Sequence, residues 1–426
     1  MNTLPQLRSK IYNLLRLSEK YTKTDMVYLA KGGFWLSFGQ IGISLIAFIL
    51  SITFARYVSK EAYGIYRFLL SLFWTLTAFS FSGLSSAVVR AIAQGKEGAY
   101  KQSFKYTIVG SIPMSLIAFG ISLYHFIHNN SVLGFGALLI GILGPLFQLA
   151  YLYGSFLEGK KEFRFNSLFG IILNGIPAIA LITGTFFVKN PLSFFLIYLI
   201  THILTGAFIC FLTFRRFKPN SIKSDNLLGL GAHFSVMNIL ATISAQIDQL
   251  LTFHYLGAAQ LAIYSFTKAI PDQLTALFNT ASNLAFPKFA NRAPHEIKET
   301  FWRKIIGFTL FSTGTSIAFY FAAPYIFEYL FPKYIDSIFY TQIYAFALIP
   351  IATIIPVAVL QAHTAKQELY IFNIGSACFN ILALFILIPK YFILGAVIAK
   401  IASRLFNFAL SSFLVSRFFA KHLRQN

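Results

Sequence analysis

Acidic residues are scarce in this chain of 426 residues: 14 Asp and Glu stand against 35 Lys and Arg. Most of the 14 fall between apolar runs. That argues against an enzyme working in water, and more weakly against a membrane glycosyltransferase, which needs an acidic or metal-binding cluster. Cysteine is nearly absent. Cys210 and Cys378 both fall within apolar runs, so no disulfide framework and no CxxC metal pair is expected. The motifs GxxxxGK[ST], HExxH and GxSxG are missing, which leaves no nucleotide-hydrolysing loop, zinc helix or nucleophile elbow. No cofactor is expected. No cleavable leader is visible in residues 1–31, which lack an apolar core of seven or more.

Charged residues of any kind make up only 12% of the chain, whereas 57% is hydrophobic and the mean hydropathy is +0.67. That composition belongs to a membrane protein. Twelve runs have the roughly 20 residues that a bilayer requires: about 32–55, 65–88, 104–127, 132–156, 166–187, 191–214, 229–256, 262–287, 305–327, 340–361, 367–388 and 391–416. Runs of this length must be helical, because lipid offers the backbone no hydrogen-bond partner. The expectation is an all-α integral membrane protein.

The net charge of +21 does not indicate nucleic acid. Of the 35 Lys and Arg, 26 fall on the N-terminus, the even-numbered links and the C-terminus. That alternation places both termini in the cytoplasm, with attraction to anionic lipid as a by-product. Leu4, Leu7, Ile11, Leu14 and Leu15 share one helical face, which suits either a short helix lying on the inner membrane surface or a solvated tail.

The chain also repeats itself. Shifted by 198 residues, Gly33–Phe68 falls on Gly231–Phe266 without a gap, with nine of 36 positions identical. Ser37, Gln40, Ser44 and Ser51 answer to Ser235, Asn238, Thr242 and Gln249, at spacings that keep each set on one helix face. A weaker echo at an offset of 206 pairs Lys160, Glu162 and Asn174 with Lys366, Glu368 and Asn380. Two six-span bundles, 32–214 and 229–418, follow as parallel pseudo-repeats around a central cavity. They are joined by a basic linker at 215–228 and flanked by an N-terminal segment 1–31 and a tail 419–426. Pro113, Pro145, Pro177, Pro271, Pro350 and Pro356 lie inside apolar runs, where proline bends a helix.

Candidate chemistry concentrates on three runs. Lys268, Asp272, Thr275, Asn279 and Asn283 form one stripe along the eighth. Facing lipid it would be costly, since a mid-bilayer charge costs at least ~2.5–3.5 kcal/mol, so the stripe is expected to line a cavity. Lys400, Arg404, Asn407 and Ser411 form a second stripe on the twelfth run. At 1.5 Å per residue, Lys400 lies ~13 Å and Arg404 ~20 Å from its outer end. Asp248 on the seventh run is ~12 Å deep and Lys268 ~9 Å. They could pair statically, or Asp248 or Asp272 could couple a proton or sodium gradient. Arg56 and Arg67 flank the first outer link, as interface anchors or as a rim for an anionic substrate. His202 on the sixth run suits a hydrogen-bonded structural role better than proton coupling. The excess of cations over carboxylates within the spans suits a phosphate or diphosphate.

The segment Ala55-Arg56-Tyr57-Val58-Ser59-Lys60-Glu61-Ala62-Tyr63-Gly64-Ile65-Tyr66 resembles a recurrent signature of the polysaccharide-biosynthesis flippases. So does Gly83-Leu84-Ser85-Ser86-Ala87-Val88-Val89-Arg90, and the twelve-run plan agrees along the whole chain. These proteins belong to the multidrug/oligosaccharidyl-lipid/polysaccharide exporter superfamily. The resemblance implies a MATE-like fold and a Wzx-like flippase that moves a polyprenyl-diphosphate-linked oligosaccharide across the bacterial inner membrane by alternating access. Its partners would be that glycan, membrane lipids and other glycan-assembly proteins. Such families do not fix their lumen charges, so Lys268, Lys400 and Arg404 rest on depth and stripe geometry. The alternatives are a drug or metabolite exporter on the same fold, a non-transporting scaffold of glycan assembly and, lower, a major-facilitator carrier, whose GxxxDRxGRR-like signature is absent from RAIAQGKEGAYKQSFK.

Overall fold

The computed structural model describes residues 26–290 and 294–423, and side chains within 32–279, at 297 and within 301–421. The expected N-terminal surface helix lies outside the described residues. Among the described residues there is no strand. Among the described residues nine helices are long and apolar enough to cross a membrane, and ten if one bent pair counts as a single span.

The described residues open with α1 (Met26–Tyr57), followed by α2 (Lys60–Leu76) and α3 (Leu84–Ala93). Ser59 begins α2 as its cap, its hydroxyl accepting from the Ala62 N–H at 3.2 Å. The expected span 65–88 is not one straight helix: α2 and α3 meet at 61°. Sequence periodicity does not register such a break. At the break Ser80 is extended, and Gly83 lies against the distant backbone of Phe234 and Ser235, where a Cβ would come within 2.3 Å.

Next come α4 (Gly98–Gly110), α5 (Ile112–Ile127), α6 (Ser131–Leu149), α7 (Leu152–Gly159), α8 (Phe163–Phe187) and α9 (Pro191–Phe217). Pro113 opens α5 rather than bending it, while Pro145 and Pro177 sit inside α6 and α8. After residues 218–226 follow α10 (Leu227–Leu256), α11 (Ala258–Ala290) and α12 (Pro294–Leu330). Then come α13 (Ser337–Ala345), a 3₁₀ stretch Phe346–Thr353 that turns at Pro350, α14 (Ile354–Ala362) and α15 (Lys366–Leu423). The expected spans 367–388 and 391–416 both fall in α15, which departs from helical geometry at Phe392 (φ 54°, ψ −132°). The helix α11, with Lys268, Asp272 and Asn279 along it, is not among the nine apolar ones.

Large apolar side chains such as Phe34, Leu116, Leu204 and Phe321 stand on the outside, as lipid-facing residues do. Helices in lipid gain little from hiding apolar surface and depend on close approach instead. Gly64 on α2 meets the Ala258 carbonyl so closely that a Cβ would fall 1.8 Å from it. The helix α2 packs on α10 and α11, and α3 on α10. Residues before 218 and after 226 are therefore in contact at two levels, Gly64–Ala258 and Gly83–Ser235. Between those contacts lie the polar residues.

The segment 218–226 is fastened to the loop after α3. The Glu97 N–H donates to Asn220 Oδ1 at 3.1 Å, and the Asn220 N–H returns to Glu97 Oε2 at 3.0 Å. The Asn220 side chain donates to the Gly95 carbonyl, and the Gly98 N–H to that of Ile222, both at 2.9 Å. Lys160 closes the group with an ion pair to Glu97.

Candidate functional site

Three helices converge on one ionic cluster. From α10, Asp248 is fully buried; its Oδ2 accepts from Lys268 Nζ at 2.7 Å and from the Tyr264 hydroxyl at 2.7 Å, with Lys400 Nζ at 3.6 Å. Its other oxygen, Oδ1, has no hydrogen-bond partner among the described residues. Along α11, Lys268 also lies 3.7 Å from Asp272, one turn on. From α15, Arg404 Nη2 donates to Asp272 Oδ1 at 2.8 Å and to the Tyr344 hydroxyl at 3.2 Å. Its Nη1 donates to Thr275 Oγ1 and to the Ala347 carbonyl, each at 3.2 Å. Tyr344 completes the set by donating to Asp272 Oδ1 at 3.0 Å.

The expected pairing of Asp248 with Lys268 is thus present, as half of a larger network. The cluster holds three cations and two carboxylates, one positive charge in excess if all are ionised. Its two ends differ in access. The Asp248 side chain is 0% exposed and Asp272 36%. A buried ion pair repays its desolvation only when its lone pairs are satisfied, and the Asp248 carboxylate meets that condition at Oδ2 but not at Oδ1. The Asp272–Arg404 end opens into a cavity of about 480 Å³ lined by Lys268, Asp272, Asn279, Lys400, Arg404 and Asn407 among others.

Two further cavities share its walls. One, of about 350 Å³, is reached past Thr275, Asn279, Arg404 and Asn407. The other, of about 340 Å³, lies across Lys268 and Asp272 and is walled by α1, α2, α9 and α11. Lys268, Asp272, Thr275 and Asn279 of the first expected stripe and Lys400, Arg404 and Asn407 of the second line these cavities, whereas Ser411 is buried and donates to the Phe408 carbonyl at 3.1 Å. The Asn283 side chain lies outside the described residues. Asn407 keeps a buried Oδ1 without a partner among the described residues. Arg67 lines the 340 Å³ cavity and donates to Gln249 Oε1 at 2.7 Å. Arg56 is exposed, hydrogen-bonds the Tyr329 carbonyl at 2.8 Å and lines none of the three cavities. His202 is buried against Phe147 and Tyr198, its Nδ1 2.9 Å from the Tyr198 carbonyl.

Sequence inspection missed Tyr264, Tyr344 and the Ser244–Asn380 pair, in which the Asn380 amide donates to the Ser244 hydroxyl and carbonyl at 2.9 Å. Asn380 had surfaced only in the repeat. The repeat itself carries a further signal. Continued two residues past Phe68, its register sets Leu50 opposite Asp248 and Leu70 opposite Lys268, while Tyr66 answers to Tyr264. The ion pair belongs to one copy only.

A multi-pass membrane protein with a polar, charged interior between packed helices is the class this fold defines. Its solved counterparts are transporters and flippases. The lipid II flippase MurJ in an inward closed conformation superposes with a TM-score of 0.69 at 14% identity, over 89% of this chain and 87% of that one. An outward-facing multidrug resistance MATE transporter of the MOP superfamily follows at 0.57 and 15%, over 93% and 97%. A MOP superfamily transporter from Pyrococcus furiosus, described by the reverse polarity of its binding pocket, stands at 0.57 and 15%, over 91% and 96%. Among curated proteins none matches in sequence. The chain belongs to the polysaccharide biosynthesis protein family, whose profile matches residues 29–292.

Proposed function

We propose that the protein flips a polyprenyl-diphosphate-linked oligosaccharide, the repeat unit of an O-antigen, capsule or exopolysaccharide, from the cytoplasmic to the outer leaflet of a bacterial inner membrane. The observation that carries this reading is the cationic cavity: Lys268, Lys400 and Arg404 face one 480 Å³ space in a chain of the polysaccharide biosynthesis family. The lipid tail stays in the bilayer while the diphosphate-sugar head enters the cavity. There the ammonium and guanidinium groups replace the hydration the phosphates lose, the arginine fork being suited to phosphate oxygens. The neighbour named as a lipid II flippase handles a ligand of related chemistry. A drug exporter on the same fold would call for an acidic lumen to hold cationic drugs, whereas this one has a cation in excess.

The architecture proposed with it is two six-span halves, 32–214 and 229–418, joined at 215–228 with both termini cytoplasmic. Taking the bent pair as one span, dividing α15 at Phe392 and admitting α11 gives twelve. The halves rock so that the contacts at Gly64 and Gly83 open in turn. A diphosphate diester brings two negative charges to a cluster with one in excess, so a cation taken up on loading restores balance. Asp272 is the carboxylate placed to accept it, a proton or sodium, because it is exposed to the cavity and Asp248 is sealed. Asn279 and Asn407, with Asn283, supply hydrogen bonds to the head. Arg67 faces the adjoining cavity, and Arg56 stays at the rim.

The test is complementation of a deletion strain, scored for surface glycan and for lipid-linked intermediates on each leaflet. Arg404→Ala is expected to cut export at least tenfold at normal membrane levels. Neutralising Lys268, Lys400 and Arg404 together should abolish it. Intact export by a folded triple variant would overturn the reading.

A further inference from the structure

We propose that the 340 Å³ cavity is a saccharide subsite, which receives the first sugar ring of the lipid-linked glycan while the ionic cluster beside it receives the diphosphate. This rests on the function proposed above and divides the head between two places. The cavity and the cluster are neighbours, because Lys268 and Asp272 line both. The volume lies at the small end of the range for ligand pockets, which starts at roughly 300 Å³.

Its lining has the two characters a sugar needs. The walls are aromatic: Phe54 and Tyr66 stack at 5.3 Å with 9° between their planes, Tyr198 stands edge-on to Tyr66 at 6.5 Å, and Trp74 stands on the same wall. A pyranose has one face of C–H groups, which lies against such rings, and a rim of hydroxyls that must be met by hydrogen bonds. Two donors there are unmet. Arg67 Nε and Ser265 Oγ are buried and have no partner among the described residues, and both residues line this cavity. Ser265 is 3% exposed. Buried polar groups in folded proteins are nearly always paired, so two orphans in one aromatic cavity point to a ligand that carries acceptors. The rest of the Arg67 fork is anchored on Gln249, which fixes its direction.

Other occupants fit less well. An acyl or prenyl chain would cover the rings and leave Arg67 and Ser265 unpaired. A phosphate would meet Arg67 and Lys268 here, beside the Asp272 carboxylate, but Lys268, Lys400 and Arg404 next door. The residues Ser51, Gln273 and Tyr63 on the same walls are neutral hydrogen-bonding groups, which also favours hydroxyls.

The experiment titrates the purified full-length protein with two probes in the same detergent: polyprenyl diphosphate, and polyprenyl diphosphate bearing one N-acetylhexosamine. The wild type is expected to bind the glycosylated probe about tenfold more tightly, the worth of roughly one well-made contact. Trp74→Leu and Ser265→Ala should each bring that ratio towards one, with thermal unfolding confirming that both variants are folded. A wild-type ratio of one with bare probe bound would overturn the subsite and leave the flippase reading standing. A ratio unmoved by both substitutions would also overturn it. Binding of neither probe by the wild type would overturn both.

Discussion

At the scale of single residues, the decisive fact is that Asp248, itself sealed from the surface, holds two ammonium groups. Removing it leaves Lys400 without its carboxylate and Lys268 with only Asp272, 3.7 Å away. Asp248→Asn is expected to lower stability by roughly 3–5 kcal/mol, the cost of breaking a buried pair from one side. Asp248→Leu combined with Lys268→Leu and Lys400→Met should recover most of that, and thermal unfolding in detergent reads both. Were the triple variant no more stable than Asp248→Asn, the cluster would not be held by charge pairing. Much of this site was legible in the sequence. Lys268, Asp272, Lys400, Arg404 and Asp248 stood out because charges inside apolar runs are few and each must find a partner. The tyrosines were not legible. With 22 Tyr in the chain, nothing local distinguishes Tyr264 and Tyr344, whose hydroxyls matter only because folding turns them onto Asp248 and Asp272. Arg56 stayed open between an interface anchor and a rim for the converse reason: a cation at a span end looks the same whether it faces a lumen or a neighbouring carbonyl.

At the scale of elements, helices were readable and their interruptions were not. Apolar length marks a span, but the 61° break between α2 and α3 depends on what Gly83 touches. Likewise the basic linker was visible as composition, while its fastening to Glu97 was not. That strap has a testable pH dependence. Burial pushes the Glu97 carboxyl up, and the Lys160 ammonium and the Asn220 N–H outweigh it, holding the carboxyl below its ordinary value. A depressed carboxylate stabilises the fold above its unfolded-state range, and that contribution is lost as pH falls through the depressed value. Hydrogen exchange at the Asn220 amide, corrected for intrinsic rate, should therefore be slow at neutral pH and speed up only in acid. Glu97→Gln should remove the protection at neutral pH. Protection unchanged in that variant would show that the backbone alone holds the linker.

At the scale of the whole molecule, Gly64 and Gly83 mark two separate levels at which the parts before and after the linker touch. In the proposed cycle they part alternately. A side chain at Gly64 would collide with the Ala258 carbonyl and prevent that level, the outer one in the proposed topology, from closing. Gly64→Leu is expected to raise the labelling of a cysteine placed at Ser51 by a membrane-impermeant maleimide several-fold in intact cells, and to stop glycan export. Unchanged labelling would mean that this contact is not an outer gate. The plan of an all-helical, multi-pass membrane protein was within reach of the sequence because bilayer thickness acts on composition. How the parts before and after residues 218–226 meet was not, since it depends on Gly64 and Gly83, whose neighbours Ala258 and Ser235 lie 194 and 152 residues away.

Leu50 and Leu70 stand in the first copy where Asp248 and Lys268 stand in the second. The sequence repeat thus sets two matching seats against each other, one occupied by charge and one by hydrocarbon. A lineage confronted with a more acidic glycan need not invent a new pocket; a lysine at position 70 would place a fresh cation beside Trp74 and Tyr198 without disturbing the established pair. Cargo range in such a protein can drift by single codons in whichever copy is not already committed.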